Sequence, residues 1–103
     1  MIVHNPERLE NIQRRTEDRL KTVANLFEKV KDPGARKFLQ LAQDQFEDVQ
    51  PLSLRELQRE QKTPDGEAGW LMLAEVTLQA GEAYLKPVQD GFERYGPGLV
   101  FIL

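Results

Sequence analysis

Five carboxylates have the residue type and the spacing that could support chemistry in this sequence. Glu75 and Glu82 are seven residues apart, so a helix over this stretch stacks them on one side. Carboxylate oxygens bind hard cations such as Mg²⁺, Mn²⁺ or Ca²⁺ in preference to zinc. One hypothesis is therefore a metal or redox site, with iron or manganese, formed at an interface between copies of the chain. Its candidate ligands are Glu17, Glu47, Asp48, Glu75 and Glu82.

The same carboxylates have a simpler interpretation, which we favour. Charged residues are seldom fully buried without a partner, so we expect Glu75 and Glu82 to reach solvent or to pair with Lys and Arg of a neighbouring helix. Other chemistry has little support. His4 is the only histidine and precedes the first helix, there is no cysteine, and Ser53, the only serine, suits a helix-capping position. The sequence therefore favours a protein without catalytic residues.

Length and composition set the broad class. The 103 residues make one domain, residues 1–103, because a second would be too small to bury its own core. A formal net charge of -3 gives no electrostatic reason to expect a nucleic-acid partner. The absence of cysteine fits a reducing cytoplasm. We expect no signal peptide and no membrane span, since no apolar run approaches about 18 residues.

Hydrophobic periodicity predicts a first helix over residues 6–31. Asn5 can cap its first turn, and Pro6 suits the first helical position because its missing N–H costs nothing there. Apolar and small residues then recur in steps of three and four, which is one face of a helix. The turn Asp32-Pro33-Gly34 ends this helix, and Asp32 or Gly34 can cap the next one.

Two further helices follow the turn. The second is predicted over residues 35–62, with a kink or break near Pro51, and the third over residues 67–94. Within the third helix Gly81 is expected to permit close approach of a neighbouring helix. A short apolar tail, residues 96–103, completes the chain. The predicted fold is all-α: an elongated three-helix bundle with up-down-up topology.

The run from Leu26 to Asp48 resembles the first hairpin of rubrerythrins and other ferritin-like proteins. In that family a helix ends at a Lys-Asp-Pro-type turn, here Lys31-Asp32-Pro33, and the next helix carries a leucine-alanine pair, here Leu41-Ala42. The resemblance implies that the chain folds as a ferritin-like half-bundle.

The family's metal residues are replaced in this sequence. Ferritin-like di-iron sites take a Glu from one helix of each pair and a Glu-x-x-His motif from the other. In the register of the resemblance, Thr16 stands at the first Glu, Gln45 at the Glu of the motif and Asp48 at its His. The resemblance therefore implies a scaffold that has kept the packing and lost the metal residues.

The wide apolar arc of the third helix and the apolar tail predict self-association. Pairing two helical hairpins would restore a four-helix core, so we expect a homo-oligomer that acts as a non-catalytic scaffold or interaction module. The tail has three further interpretations: it folds back on the bundle, it docks on a partner protein as a strand or in a groove, or it is exposed because the natural chain continues. The predicted interface residues are Trp70, Leu78, Gly81, Tyr84, Leu85, Phe92, Leu99, Phe101 and Leu103.

Overall fold

A computed structural model describes residues 5–49 and 64–101, and this part of the chain is helical with no strands. Helix α1 spans Pro6–Lys29, α2 spans Pro33–Val49 and α3 spans Pro64–Tyr95, followed by a 3₁₀ turn over Gly96–Gly98. The molecule is elongated, with extents of 50 × 21 × 17 Å. The all-α prediction is confirmed. The predicted kink at Pro51, the extension of the second helix to residue 62, and Leu103 lie outside the described residues.

The helix ends differ from the predicted bounds by up to three residues, and local chemistry explains the differences near the first turn. Helix α1 ends at Lys29 because Val30 is extended (φ -92°, ψ 127°), although its N–H still donates to the Leu26 carbonyl at 2.7 Å. Helix α2 begins at Pro33, two residues early, because Asp32 caps it and proline suits the first helical position. Helix α3 likewise starts at a proline, Pro64, three residues early.

The hydrophobic core lies between the three helices, each of which contacts the other two. Its side chains are spaced by three and four residues along every helix, as expected for faces that bury against neighbours. Thr16 is a buried polar residue of this core, and its hydroxyl donates to the Ile12 carbonyl at 2.7 Å. The largest fully buried hydrophobic side chains are Ile12 and Val23 of α1, Leu39 and Phe46 of α2, Leu71, Leu78, Leu85 and Val88 of α3, and Val30 after α1.

Helices α2 and α3 make the most extensive helix–helix contact, and Gly81 lies at its tightest point. A β-carbon built at Gly81 would lie 2.5 Å from Cε1 of the Phe46 ring, far inside van der Waals contact. The prediction that Gly81 permits close helix approach is therefore confirmed.

The residues after α3 fold back on the bundle. Leu99 is buried, and its Cδ1 lies 2.6 Å from where a β-carbon of Gly91 would stand. The Phe101 ring packs edge-on against Phe38 of α2, with 5.4 Å between ring centroids. The part of the tail that the structure describes thus covers the chain's own core, as the interpretation that it folds back on the bundle expected.

Candidate functional site

A row of ion pairs joins α1 to α3 and contains two of the five candidate metal ligands. Arg8 Nη2 lies 2.6 Å from Glu75 Oε1, and its Nε donates to the same oxygen at 2.8 Å. Seven residues further along both helices, Arg15 Nη2 lies 2.6 Å from Glu82 Oε1. The other oxygen of Glu82 accepts from Arg19 Nε at 2.9 Å. The interpretation that Glu75 and Glu82 pair with basic residues of a neighbouring helix is confirmed.

The remaining candidate ligands lie on exposed surface. Glu17 and Asp48 are exposed, and Glu47 accepts a hydrogen bond from Gln43 one turn earlier, at 2.8 Å. Among the side chains that the structure describes, no three of His, Cys, Asp or Glu converge to hold a metal ion. A metal site shared between copies of the chain stays a prediction, and it would have to compete with arginines for Glu75 and Glu82.

The positions that would carry metal ligands in a ferritin-like protein have other environments here. Thr16 is buried, and its hydroxyl is satisfied by its own helix. Gln45 is half-buried, while Asp48 is exposed. A hydroxyl that already donates within its helix and an exposed carboxylate do not form the inward-pointing set that such iron sites require.

Asp32 connects the first turn to the tail. One carboxylate oxygen, Oδ2, accepts from the backbone N–H of Ala35 at 2.9 Å and from that of Phe101 at 3.0 Å. These N–H groups, that of Phe101 first, hold the pKa of the Asp32 carboxyl below its ordinary value. The tail also runs close over Gly34, where a β-carbon would lie 3.1 Å from Cβ of Phe101. Asp32 thus caps α2 and also holds the tail in place through a hydrogen bond from the Phe101 N–H.

Arg36 donates hydrogen bonds to carbonyl groups at the end of α1. Its Nη1 donates to the carbonyls of Phe27, at 2.6 Å, and Val30, at 2.9 Å, near a helix end where carbonyls lack partners within the helix. The guanidinium also lies over the Phe27 ring, 4.9 Å from its centroid. Asp32 and Arg36 therefore use opposite charges to satisfy the two helix ends at this turn.

Two surface grooves border α3, and neither has the character of a small-molecule site. Such sites are mostly apolar with a few convergent polar groups. Both grooves instead have charged side chains of both signs on their walls. The larger, about 580 Å³, is lined by Asp90, Gly91, Glu93, Arg94 and Tyr95. The smaller, about 210 Å³, is lined by Arg19, Glu82, Leu85, Lys86, Gln89 and Asp90.

The outward face of α3 exposes large apolar side chains. Met72, Leu73 and Val76 are 61%, 62% and 56% exposed. Every exposed residue from Gly69 to Ala83 is uncharged, in a chain of which 30% is charged, because Glu75 and Glu82 point towards α1. We call this surface the outer face of α3; its exposed residues are Gly69, Met72, Leu73, Val76, Gln79 and Ala83.

The outer face of α3 differs from the interface predicted from sequence. Leu78, Gly81, Leu85 and Leu99 are buried within the chain's own core. Four other predicted residues are partly buried against that core: Trp70, Tyr84, Phe92 and Phe101. Periodicity indicated a broad apolar arc on α3. It did not distinguish the part of the arc that faces the core from the part that faces outward, and the predicted interface stays a prediction.

Of the residues described, no helix has both the length and the hydropathy needed to cross a membrane. Comparison with models of known protein families, with curated proteins and with solved structures found no match to this chain.

Proposed function

We propose that this protein is a non-catalytic helical self-association module, an oligomeric scaffold or accessory protein, which associates through the outer face of α3. The observation that carries the proposal is the exposure of Met72, Leu73 and Val76 by more than half on one helix. Burying apolar surface is the main favourable term in protein association, and contiguous exposed apolar patches mark interaction surfaces.

The ion pairs support an up-down-up arrangement of the three helices. Arg8 pairs with Glu75 and Arg15 with Glu82, so equal steps along α1 and α3 connect successive pairs. This register favours α1 and α3 running in the same direction, with α2 antiparallel to both. Such a unit is part of a helical bundle rather than a closed four-helix core, and a second copy would supply the missing side.

From the resemblance to ferritin-like proteins, we also propose that the packing of the helical hairpin has a ferritin-like origin. The chain would be a half-bundle in which hairpin construction has survived and metal binding has been lost. Thr16, whose hydroxyl is satisfied within α1, supports the loss at the first ligand position. We also propose a cytoplasmic location, supported by the absence of cysteine.

The alternative function, a carboxylate metal or redox site between chains, has a direct test. Elemental analysis of the purified oligomer for iron and manganese should find no stoichiometric metal, and adding either ion should leave the melting temperature unchanged. One metal per chain or per pair, lost on replacing Glu82 by Gln, would establish the alternative and overturn the non-catalytic proposal.

Analytical ultracentrifugation over a concentration series tests self-association. The wild-type chain should shift from monomer to dimer or larger between about 1 μM and about 1 mM, the range of weak to moderate affinities. Val76→Glu should remain monomeric, because it places a charge on the apolar face. Val100→Glu is the matched control, since Val100 is 67% exposed but lies outside the outer face of α3.

Helicity of each variant is measured by circular dichroism, so that loss of association is separated from unfolding. A wild-type chain that stays monomeric throughout the series would overturn the proposal. Equal loss of association in both variants would show that the outer face of α3 is not the surface used. Deleting residues 96–103 tests the tail: loss of a protein partner with the oligomer intact would assign the tail to docking instead.

A further inference from the structure

The outer face of α3 is symmetric about one residue, Val76. Gly69 and Ala83 lie seven residues on either side of it, and Leu73 and Gln79 lie three on either side; all five are exposed. Met72 is matched by Ala80, four residues beyond Val76 and half-buried. When two identical helices pack antiparallel about a two-fold axis at Val76, each of these residues comes level with its counterpart on the other copy.

The side-chain sizes suit this arrangement. At the level of the two-fold axis Val76 meets Val76 of the second copy. One turn away, the large Met72 would lie beside the small Ala80, and two turns away Gly69 beside Ala83. A large residue facing a small one, as at Met72 and Ala80, lets two helix surfaces interdigitate. The same face packed in parallel would place Met72 beside Met72 and Ala80 beside Ala80.

Gly69 gives an independent reason to expect a close neighbour. A glycine inside a helix costs about 1 kcal/mol relative to alanine. Gly81 and Gly91 have explanations within the chain, because a β-carbon at either would lie under 3.0 Å from Phe46 or Leu99. At Gly69 a β-carbon would meet no atom of the described part of the chain within 4 Å. Nothing among the described residues calls for glycine there, whereas a second helix approaching the outer face would.

The absence of charge on the outer face of α3 favours a second copy as its occupant, and the area of the strip favours a weak pair. The exposed residues from Gly69 to Ala83 are uncharged, so self-pairing brings no like charges together, and a partner recognised by charge would find no counterpart. The strip is about 21 Å long at about 1.5 Å per residue and about 10 Å wide. That is less than the roughly 800 Å² that each partner contributes to a standard interface.

We propose that two copies of this chain form an antiparallel, two-fold symmetric dimer along α3, with Val76 at the axis. The proposal rests on the proposed self-association and adds its surface, its direction and its register. Because the strip is small, the dimer forms and dissociates with concentration, and its dissociation constant lies in the micromolar range or above.

Single-cysteine variants test the register directly, because the chain contains no cysteine. A short bismaleimide reagent should link Val76→Cys to itself. It should also link Met72→Cys to Ala80→Cys in a mixture, with at least about fivefold higher yield than either variant alone, since proximity raises the effective concentration. In the antiparallel pair, two copies of residue 72 lie about 12 Å apart along the axis, at about 1.5 Å per residue. Lys37→Cys, exposed on α2, is the control for random encounter.

The outcomes separate this inference from the proposed function. Linking of Val76→Cys and of the mixed pair, with dimerisation seen by ultracentrifugation, supports both. A dimer in which Met72→Cys and Ala80→Cys each link to themselves better than to one another is parallel, and overturns the inference while self-association stands. A dimer with linking no higher than the Lys37→Cys control uses another surface and also overturns it. A chain that is monomeric at every concentration overturns both.

Discussion

Replacing Gly81 by alanine should destabilise this protein, although alanine is the better helix former. The added β-carbon would lie 2.5, 2.8 and 2.9 Å from three atoms of the buried Phe46 ring. Forcing a methyl group into a packed core costs about 1–3 kcal/mol. The helix-propensity gain offsets about 1 kcal/mol. We therefore expect Gly81→Ala to lower the free energy of unfolding by up to about 2 kcal/mol.

Gly69→Ala is the matched control, because it makes the same change in the same helix. At Gly69 the new methyl group meets no described atom within 4 Å, so only the propensity term is expected. We expect Gly69→Ala to raise the free energy of unfolding by up to about 1 kcal/mol. The two variants should thus differ in sign, which no argument from helix propensity alone can produce.

Thermal unfolding followed by circular dichroism measures both effects, at a concentration low enough to keep the chain monomeric. For a chain of this size about 1 kcal/mol corresponds to a shift in Tm of about 4–8 °C. A second measurement locates the cause: Phe46→Leu removes the ring atoms that the methyl group meets. Gly81→Ala should therefore cost less in the Phe46→Leu background than in the wild type, by about 1 kcal/mol or more. A Gly81→Ala variant stabilised as much as Gly69→Ala would refute the close packing of α2 against α3, because it would show the gain in helix propensity with no packing cost.

Four further substitutions test the contacts between elements by chemical and thermal denaturation. Glu82→Gln should lower the free energy of unfolding by about 1–2 kcal/mol, because it weakens hydrogen bonds from two arginines. Glu75→Gln should lower it by under about 1 kcal/mol, because that pair is more exposed. Equal losses of stability in the two variants would contradict this ranking. Because the pKa of Asp32 is lowered in the folded chain, its contribution to stability should be complete above its ordinary range, about pH 4, and lost as pH falls through the lowered pKa. The stability difference between wild type and Asp32→Ala, followed from about pH 6 to about pH 2, should shrink in that window, and a difference independent of pH would refute the role of the carboxylate. Arg36→Ala should lower the free energy of unfolding by about 1–2 kcal/mol and speed amide hydrogen exchange at the end of α1. Unchanged exchange there would show that the carbonyls of Phe27 and Val30 do not depend on Arg36.

Much of the secondary structure was predictable because helical signals are local. The step of three and four residues from Leu9 to Val30 and the breaker Asp32-Pro33-Gly34 act within a few residues of chain. The capping function of Asp32 was predictable for the same reason. Its second hydrogen bond, to the Phe101 N–H, was not, because the two residues are far apart in sequence and meet only when the tail folds back.

At the candidate site, too, local features were predictable from the sequence and contacts between helices were not. The spacing of Glu75 and Glu82 placed both on one side of a helix, and the cost of burying unpaired charge predicted either solvent exposure or basic partners. Which arginines these would be depended on how α1 lies against α3. Met72, Leu73 and Val76 were not singled out, since their exposure follows from the rotation of α3 that its contacts with α1 and α2 impose.

The sequence by itself determined that this chain is helical, that its first turn lies near Asp32, and that Glu75 and Glu82 either reach solvent or pair with basic residues. Those properties follow from local periodicity, turn chemistry and the cost of unpaired charge, which act on neighbouring residues. The tertiary structure decided that Arg8, Arg15 and Arg19 pair with Glu75 and Glu82 and that the described part of the tail covers the core. It also decided which apolar residues of α3 remain exposed, because that choice depends on the placement of the other two helices.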